Sequence, residues 1–359
     1  MSAPGRSQAR TPKCAARRYS NERAGPLPSA NPAAQCAQGS PVKPPVLGLA
    51  AVLGAALAAA AALWWAVPKA GSVEGGPAPA LLAGLAAVAL AALFSVRRVA
   101  ALDGSRWYGT ATAALFGLWV LYFWQLGVTL FDVPRVLLPA PSFIASMLVD
   151  RWETLLGDFV QTVLKAVLVG WALGSALGFA VGVAIDRAPF LQRGLLPLAS
   201  LTATVPLVAV APIMVMWFGF EWPSKAAVVV LMTFFPMLVA TLAGLQAAGR
   251  QERELMHSYA AGYVRTLIDL RLPMALPFLF GALKVNATLA LIGAIVAEFF
   301  GSPTVGLGFR ISTEAARMNM ALVWGAIVVA SVTGSLAYAL LVLLERKLAF
   351  WHPSIRAAQ

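Results

Sequence analysis

Eight apolar runs of about 20 residues follow one another along this chain, near 46–67, 79–96, 111–130, 162–185, 195–219, 226–247, 276–298 and 322–344. A helix rises 1.5 Å per residue, so about 20 residues cross the roughly 30 Å of hydrocarbon in a bilayer. No soluble globule has enough interior to hide eight such runs. The composition agrees, at 60% hydrophobic and 12% charged residues with a mean hydropathy of +0.77. The chain reads as all-α, a polytopic membrane helix bundle of about eight transmembrane helices.

The net charge of +12 would suggest nucleic acid in a soluble protein. Here the basic residues gather in tails and alternate loops, which is a topology signal and excludes a nucleic-acid partner. With the N-terminus inside, nineteen Lys and Arg residues fall on the cytoplasmic side, from Arg6 to Arg356, against six opposite: Lys69, Arg135, Arg151, Lys225, Arg310 and Arg317. Both termini and the 249–275 loop are then cytoplasmic, and bilayer lipid is a partner throughout. Residues 1–45 carry seven basic residues and one acid with no apolar period, and read as a disordered tail. They lack the early apolar run of a secretory signal, and the absence of methionine between Met1 and Met147 leaves a later start open. Cys14 and Cys36 both lie in that tail, and His257 and His352 are far apart, so no disulfide framework or metal centre is written here. No phosphate-binding GxxxxGK[ST] loop occurs, so the chain binds no nucleotide through such a loop.

One polar stretch interrupts the second half. From Arg250 to Arg271 the chain carries Arg250, Glu252, Arg253, Glu254, Arg265, Asp269 and Arg271. Each would cost about 2.5–3.5 kcal/mol at mid-membrane, so the stretch is a loop in water. Leu255, Tyr259, Tyr263, Leu267 and Leu270 recur at helical spacing and mark a face that presses on something. Leu272-Pro273 is expected to end that helix. A Glu opening a short helix, a small residue six positions later and a terminal LeuArgLeuPro resemble the EAA loop of ABC importer permeases. The resemblance gives ATPase coupling to Glu254, Leu255, Tyr259, Ala260, Gly262, Leu272, Pro273 and Pro277. Leu255 and Met256 stand where the family prefers alanines, and Ala260 where it prefers glycine.

Further segments carry the same resemblance, over roughly residues 111–350. VPRVLLPAPSFI at 133–144 is similar to the segment that opens permeases of the nitrate, taurine and sulfonate group, and Ser142 can cap an interfacial helix over about 142–156. Gly170, Gly174, Gly178 and Gly182 recur every four residues, a smooth face for close helix approach that suits either sliding or static packing. Pro206 and Pro212 break the fifth run, which most resembles permeases for thiamine-pyrimidine precursors or riboflavin. Lys284 and Glu298 are ionisable groups in the seventh run, and Gly306 and Gly308 follow it. Intramembrane charges suggest a pathway or a buried partner, so Pro206, Pro212, Lys284, Glu298, Gly306 and Gly308 are candidates for the translocation pathway and its outer gate.

The resemblance implies a six-helix type I importer permease core over 111–350, preceded by an accessory transmembrane hairpin at 46–100 and followed by a short tail at 351–359. It implies a bacterial plasma (inner) membrane location, a homodimeric permease pair, a pair of ABC ATPase subunits that bind the ATP, and an extracytoplasmic solute-binding protein. The substrate would be a small anionic or heterocyclic nutrient, of the nitrate, sulfonate and taurine kind or the thiamine-pyrimidine and riboflavin kind. No cofactor and no catalytic residue are expected in this chain. Two other classes compete. An ion-coupled secondary transporter would need a mid-membrane carboxylate and usually inverted repeats. A membrane enzyme would need convergent acids, histidines or a nucleophile with its base.

Overall fold

The computed structural model describes residues 54, 56–61, 79–100, 106–188, 190, 207–301 and 304–351. Ten helices account for most of them: α1 (Pro79–Ala100), α2 (Arg106–Leu130), α3 (Pro141–Asp150), α4 (Trp152–Arg187), α5 (Leu207–Phe218), α6 (Trp222–Gln246), α7 (Arg250–Ser258), α8 (Tyr263–Phe300), α9 (Leu307–Ala316) and α10 (Met320–Leu348). Six are long and apolar enough to cross a bilayer, namely α1, α2, α4, α6, α8 and α10. The expected span near 46–67 falls largely outside the described residues, as does the first half of that near 195–219. What is described of them is helical, at 54 and 56–61 and in the twelve-residue α5. The C-terminal tail past 351 lies outside too, as does the basic N-terminal tail.

The glycine face of α4 decides how the centre packs. A Cβ at Gly170 would lie 2.6 Å from Val229 Cβ, one at Gly178 2.4 Å from the Phe234 carbonyl oxygen, and one at Gly182 2.8 Å from Thr241 Cβ. Helix α6 therefore lies directly in the groove, with its backbone against that of α4. Helix α8 closes the trio, and Asn286 ties all three. Its Nδ2 donates to Ser175 Oγ of α4 at 3.1 Å and to the Thr233 carbonyl of α6 at 2.8 Å. Helix α5 packs through Ala211 and Met214 onto Val228 and Ala297. Helix α10 covers the other flank of α8, with Leu322, Ala326 and Ala330 against Leu155 and Leu307. Most remaining large apolar side chains of the spans, such as Leu118, Leu173 and Leu343, face outward, as side chains in contact with lipid do.

Helices α1 and α2 form a cluster of their own with residues 56–60, in which Ala56, Ala60, Val88, Ala92, Trp119 and Leu126 are buried together. Trp119 donates to Ser95 Oγ at 3.2 Å, and Tyr122 to the Ala60 carbonyl at 2.7 Å. Contact with the larger bundle runs through the tilted Trp124–Trp324 ring pair, with centroids 5.0 Å apart, and through Gln125, whose side-chain oxygen accepts from the Ser142 N–H.

Three expected boundaries move. The interfacial helix expected over 142–156 ends at Asp150, because Arg151 (φ −114°) breaks it and Trp152 opens the long span. Ser142 caps nothing. The N-cap is Ala140, and Pro141 takes the first helical position, where its missing N–H costs least. Leu272-Pro273 does not end a helix either. The five residues Leu267–Arg271 widen into a π turn, in which the Leu272 N–H reaches the Leu267 carbonyl. That wider turn accommodates the proline ring and the helix runs on unbroken into the membrane.

Candidate functional site

Two polar ends, separated by the length of α4, hold the residues that the sequence singles out. From Asp158 to Asp186 the helix climbs 28 residues, about 40 Å at 1.5 Å each, which is a bilayer with its headgroups.

At one end hangs α7. None of its residues is buried, and Leu255 and Tyr259 are 56% and 77% exposed on a short helix suspended between α6 and α8. The helix begins at Arg250 after the extended Gly249, with Glu252 in its first turn. Glu254 therefore does not open it, as expected from the motif, but stands one turn in, paired with Arg250 at 2.7 Å in solvent. Such an exposed pair adds only a few tenths of a kcal/mol, about 0.3–0.5. Helix α7 stops in a Schellman turn. The Ala260 N–H donates to the His257 carbonyl at 2.9 Å and the Ala261 N–H to that of Met256 at 3.0 Å. This needs a left-handed residue, and Ala260 supplies it at φ +54°. The position where the resemblance expects glycine thus has glycine's geometry, held by an alanine at a cost of about 1–2 kcal/mol. Gly262 is extended and caps the start of α8, with open space around its Cα.

The single helical face expected from Leu255 to Leu270 is split by this turn. Leu255 and Tyr259 stay exposed, while Leu267 packs into the cluster of Met237, Leu245 and Leu279. Tyr263 is not offered outward but donates its hydroxyl to Asp186 Oδ2 at 3.1 Å. Arg271 grips the same carboxylate with both terminal nitrogens, at 2.6 and 2.7 Å, and donates its Nε to the Leu245 carbonyl at 3.0 Å. Leu272 and Pro273 follow directly, and Pro277 lies inside α8.

At the other end, two carboxylates from different spans meet the start of α9. Asp158 accepts from the Gly306 N–H at 2.8 Å and from Arg310 Nε at 2.8 Å. Glu298 accepts from Thr162 Oγ1 and from the Gly308 N–H, each at 2.7 Å. Thr162 accepts in turn from the Leu307 N–H at 2.8 Å. Three free N–H groups of the α9 N-terminus are thus satisfied by α4 and α8, where the helix dipole favours negative charge. Asp158 holds the Arg310 guanidinium above its ordinary pKa, chiefly by hydrogen bonding. The glycines follow from this crowding. Gly306 sits at φ +145°, and a Cβ there would lie 2.7 Å from the Glu298 carboxyl; one at Gly308 would lie 2.2 Å from the Ile295 carbonyl.

Of the remaining candidates, Lys284 donates to Glu345 Oε2 at 2.8 Å, so its charge is matched between α8 and α10. Pro212 lies within α5, and its neighbour Ala211 lines a void of about 60 Å³ between α5, α6 and α8. Pro206 lies outside the described residues. A larger groove of about 720 Å³ runs between α8 and α10, with Thr288, Ser331, Ser335 and Tyr338 among its lining. The sequence reading passed over Asp158, Thr162 and Asp186. The signal was there, since both aspartates bracket an apolar run, and a carboxylate at a span end needs a partner. Lys225, counted from sequence among the six basic residues opposite the cytoplasmic side, is buried, with its ammonium on the Phe220 and Glu221 carbonyls. Among the described residues, no group of three His, Cys, Asp or Glu side chains could hold a metal ion.

Residues 174–350 match the family described as binding-protein-dependent transport system inner membrane component. The riboflavin transport system permease protein RibX of Chloroflexus aurantiacus is 36% identical over 239 residues, covering 66% of this chain and 88% of that protein. The formylaminopyrimidine transport permease protein ThiX of Halalkalibacterium halodurans is 32% identical over 246 residues, 68% of this chain and 98% of its own length. A putative aliphatic sulfonates transport permease protein, SsuC of Bacillus subtilis, is 28% identical over 254 residues, 70% and 91% of the two chains. These relatives are transport permeases, not enzymes, and together with the helical bundle they place this chain among the binding-protein-dependent transport system inner membrane components, the permease subunits of ABC importers.

Proposed function

We propose that α7 is the coupling helix, through which a pair of ATPase subunits that bind ATP drives this permease. The observation that carries this is a helix with no buried residue, hung between two membrane spans, that presents Leu255 and Tyr259 to water. Apolar side chains held out on a short rigid helix suit a partner groove. Glu254, Leu255, Tyr259 and the Ala260–Gly262 turn form the contact, and Leu272, Pro273 and Pro277 carry it into α8.

In this reading the α7 end is cytoplasmic, with both termini on the same side, and the chain lies in a bacterial plasma membrane. The charge asymmetry of the loops supports that orientation. Two copies pair to form the pore, with residues 111–350 as the permease core and 46–100 as an added hairpin. An extracytoplasmic binding protein delivers solute to the end where Glu298, Gly306 and Gly308 hold α9, and this end is the outer gate. Pro206 and Pro212 belong to the pathway, and Lys284 acts through its pair with Glu345. Substrates named for the relatives include riboflavin, formylaminopyrimidine and aliphatic sulfonates, which suggests a small heterocyclic or anionic nutrient.

The test is retention of co-expressed ATPase subunits on the tagged permease. Tyr259→Asp combined with Leu255→Asp should lower retention at least tenfold while membrane insertion is unchanged, because both positions lie in water in the free chain. Undiminished retention would refute the assignment of α7.

A further inference from the structure

The one helix expected to touch an ATPase has almost no grip on the bundle it must move. Helix α7 buries no residue, so its displacement passes through the chain into the first turns of α8. There the chain meets Asp186, the penultimate residue of α4. Its carboxylate is 8% exposed and receives both terminal nitrogens of Arg271 and the Tyr263 hydroxyl, while Arg271 Nε binds the Leu245 carbonyl near the end of α6. Arg187 adds its guanidinium over the Tyr263 ring, 5.5 Å from the centroid. The ends of α4, α6 and α8 are joined at this one point.

The π turn makes the junction possible. In an uninterrupted α-helix, residues 263 and 271 would stand about 80° apart around the axis, from eight steps of about 100°. The wider turn at Leu267–Arg271 rotates each residue less and draws Arg271 back beneath Tyr263, so that both reach one carboxylate. A forked guanidinium–carboxylate pair is directional as well as strong, and it resists rotation as a single contact would not. From Asp186 the motion follows α4, which is π-helical over Val160–Val167 before it reaches Asp158. Helix α4 is locked along its glycine face to α6 and, about 40 Å away, Asp158 and Thr162 hold the start of α9.

We propose that Asp186 is a positioning residue for transport: it hands movement of the α7–α8 segment to α4, and so couples the ATPase end to the opposite end of the bundle. This rests on the assignment of α7 as the coupling helix.

The test uses the full chain assembled with its ATPase subunits in lipid nanodiscs. Cys14 and Cys36 are replaced by serine, and Ser331→Cys in the groove between α8 and α10 reports by its rate of reaction with a hydrophilic maleimide. The wild-type rate with ATP and vanadate, relative to that without nucleotide, sets the response. If the wild-type assembly gives none, the nucleotide-driven reading itself fails, independently of Asp186. With a wild-type response in hand, Asp186→Asn is expected to reduce it at least fivefold, while ATPase retention and ATP hydrolysis stay within twofold. Asp186→Glu, which keeps the charge, is expected to recover more than half. A response within twofold of wild type in Asp186→Asn overturns the proposal. So does a loss accompanied by loss of the ATPase subunits, which would make the junction a docking or folding element. Should Asp186→Asn fail to accumulate in the membrane at all, so that neither response nor ATPase retention can be read, Tyr263→Phe removes one hydrogen bond and leaves the ion pair. It is expected to reduce the response about twofold, and an unchanged response overturns the proposal.

Discussion

Replacing Gly178 by alanine tests the central packing of the bundle. An added Cβ would lie 2.4 Å from the Phe234 carbonyl oxygen, 3.0 Å from Met237 Cβ and 3.1 Å from the Leu238 nitrogen. Two of these three are backbone atoms, which no rotamer change can move aside. Relief needs α4 and α6 to part by about 1 Å, toward the roughly 3.5 Å at which atoms rest. A gap of that size forfeits about a quarter to a half of each dispersion contact along the shared face. Overpacking of this kind costs about 1–3 kcal/mol, against which alanine returns about 1 kcal/mol of helix propensity. The expected result is a net destabilisation of up to about 2 kcal/mol. Gly281 is the control, because a Cβ there meets nothing within 4 Å, and Gly281→Ala should be neutral or stabilise by up to about 1 kcal/mol. Unfolding titrations with SDS in mixed micelles measure both. Equal shifts in the two variants would refute the close approach of α4 and α6.

Ala260→Gly should stabilise the α7 turn by about 1 kcal/mol, since the residue lies at φ +54° and not in a helix interior where glycine would cost that much; slower amide exchange at Ala261 would show it, and faster exchange would contradict it. At the Lys284–Glu345 pair, Lys284→Met alone should destabilise the chain by about 3 kcal/mol or more by stranding a largely buried carboxylate. Adding Glu345→Leu should recover most of that loss in the same micelle titration, and additive losses would count against the pairing. Deleting residues 1–45 should leave membrane insertion and ATPase retention within twofold of the full chain, because the tail has no apolar face to bury; lost retention would reveal a docking role.

The spans were legible because hydrophobic run length is a one-dimensional signal: runs at 79–96, 111–130 and 322–344 each fall within a described helix, and that at 226–247 passes the end of α6 by one residue. Two of the longest helices were underestimated, since α4 begins at Trp152 and α8 at Tyr263, in polar turns that hydropathy assigns to loops. Proline rules alone could not foresee that a π turn carries α8 through Leu272-Pro273. Glu298, Gly306 and Gly308 were singled out by charge and motif, and they do meet. Their partners Asp158 and Thr162 lie more than 130 residues away, a pairing that only the tertiary packing creates. The same holds for Asp186 and Arg271, 85 positions apart. Tyr263 has the right spacing to join the exposed face, yet the turn at Ala260 redirects it to Asp186, and periodicity carries no information about that break.

The most direct measurement of the coupling account is site-specific photo-crosslinking from position 259. A benzophenone amino acid replaces Tyr259, which is 77% exposed, in the full chain co-expressed with its ATPase subunits. A second probe replaces Val149 of α3, 72% exposed on the other face of the membrane in this account. The account predicts an adduct of permease and ATPase from position 259 and none from position 149. An ATPase adduct from 149, or no ATPase adduct from 259 while the two proteins still co-purify, would contradict it.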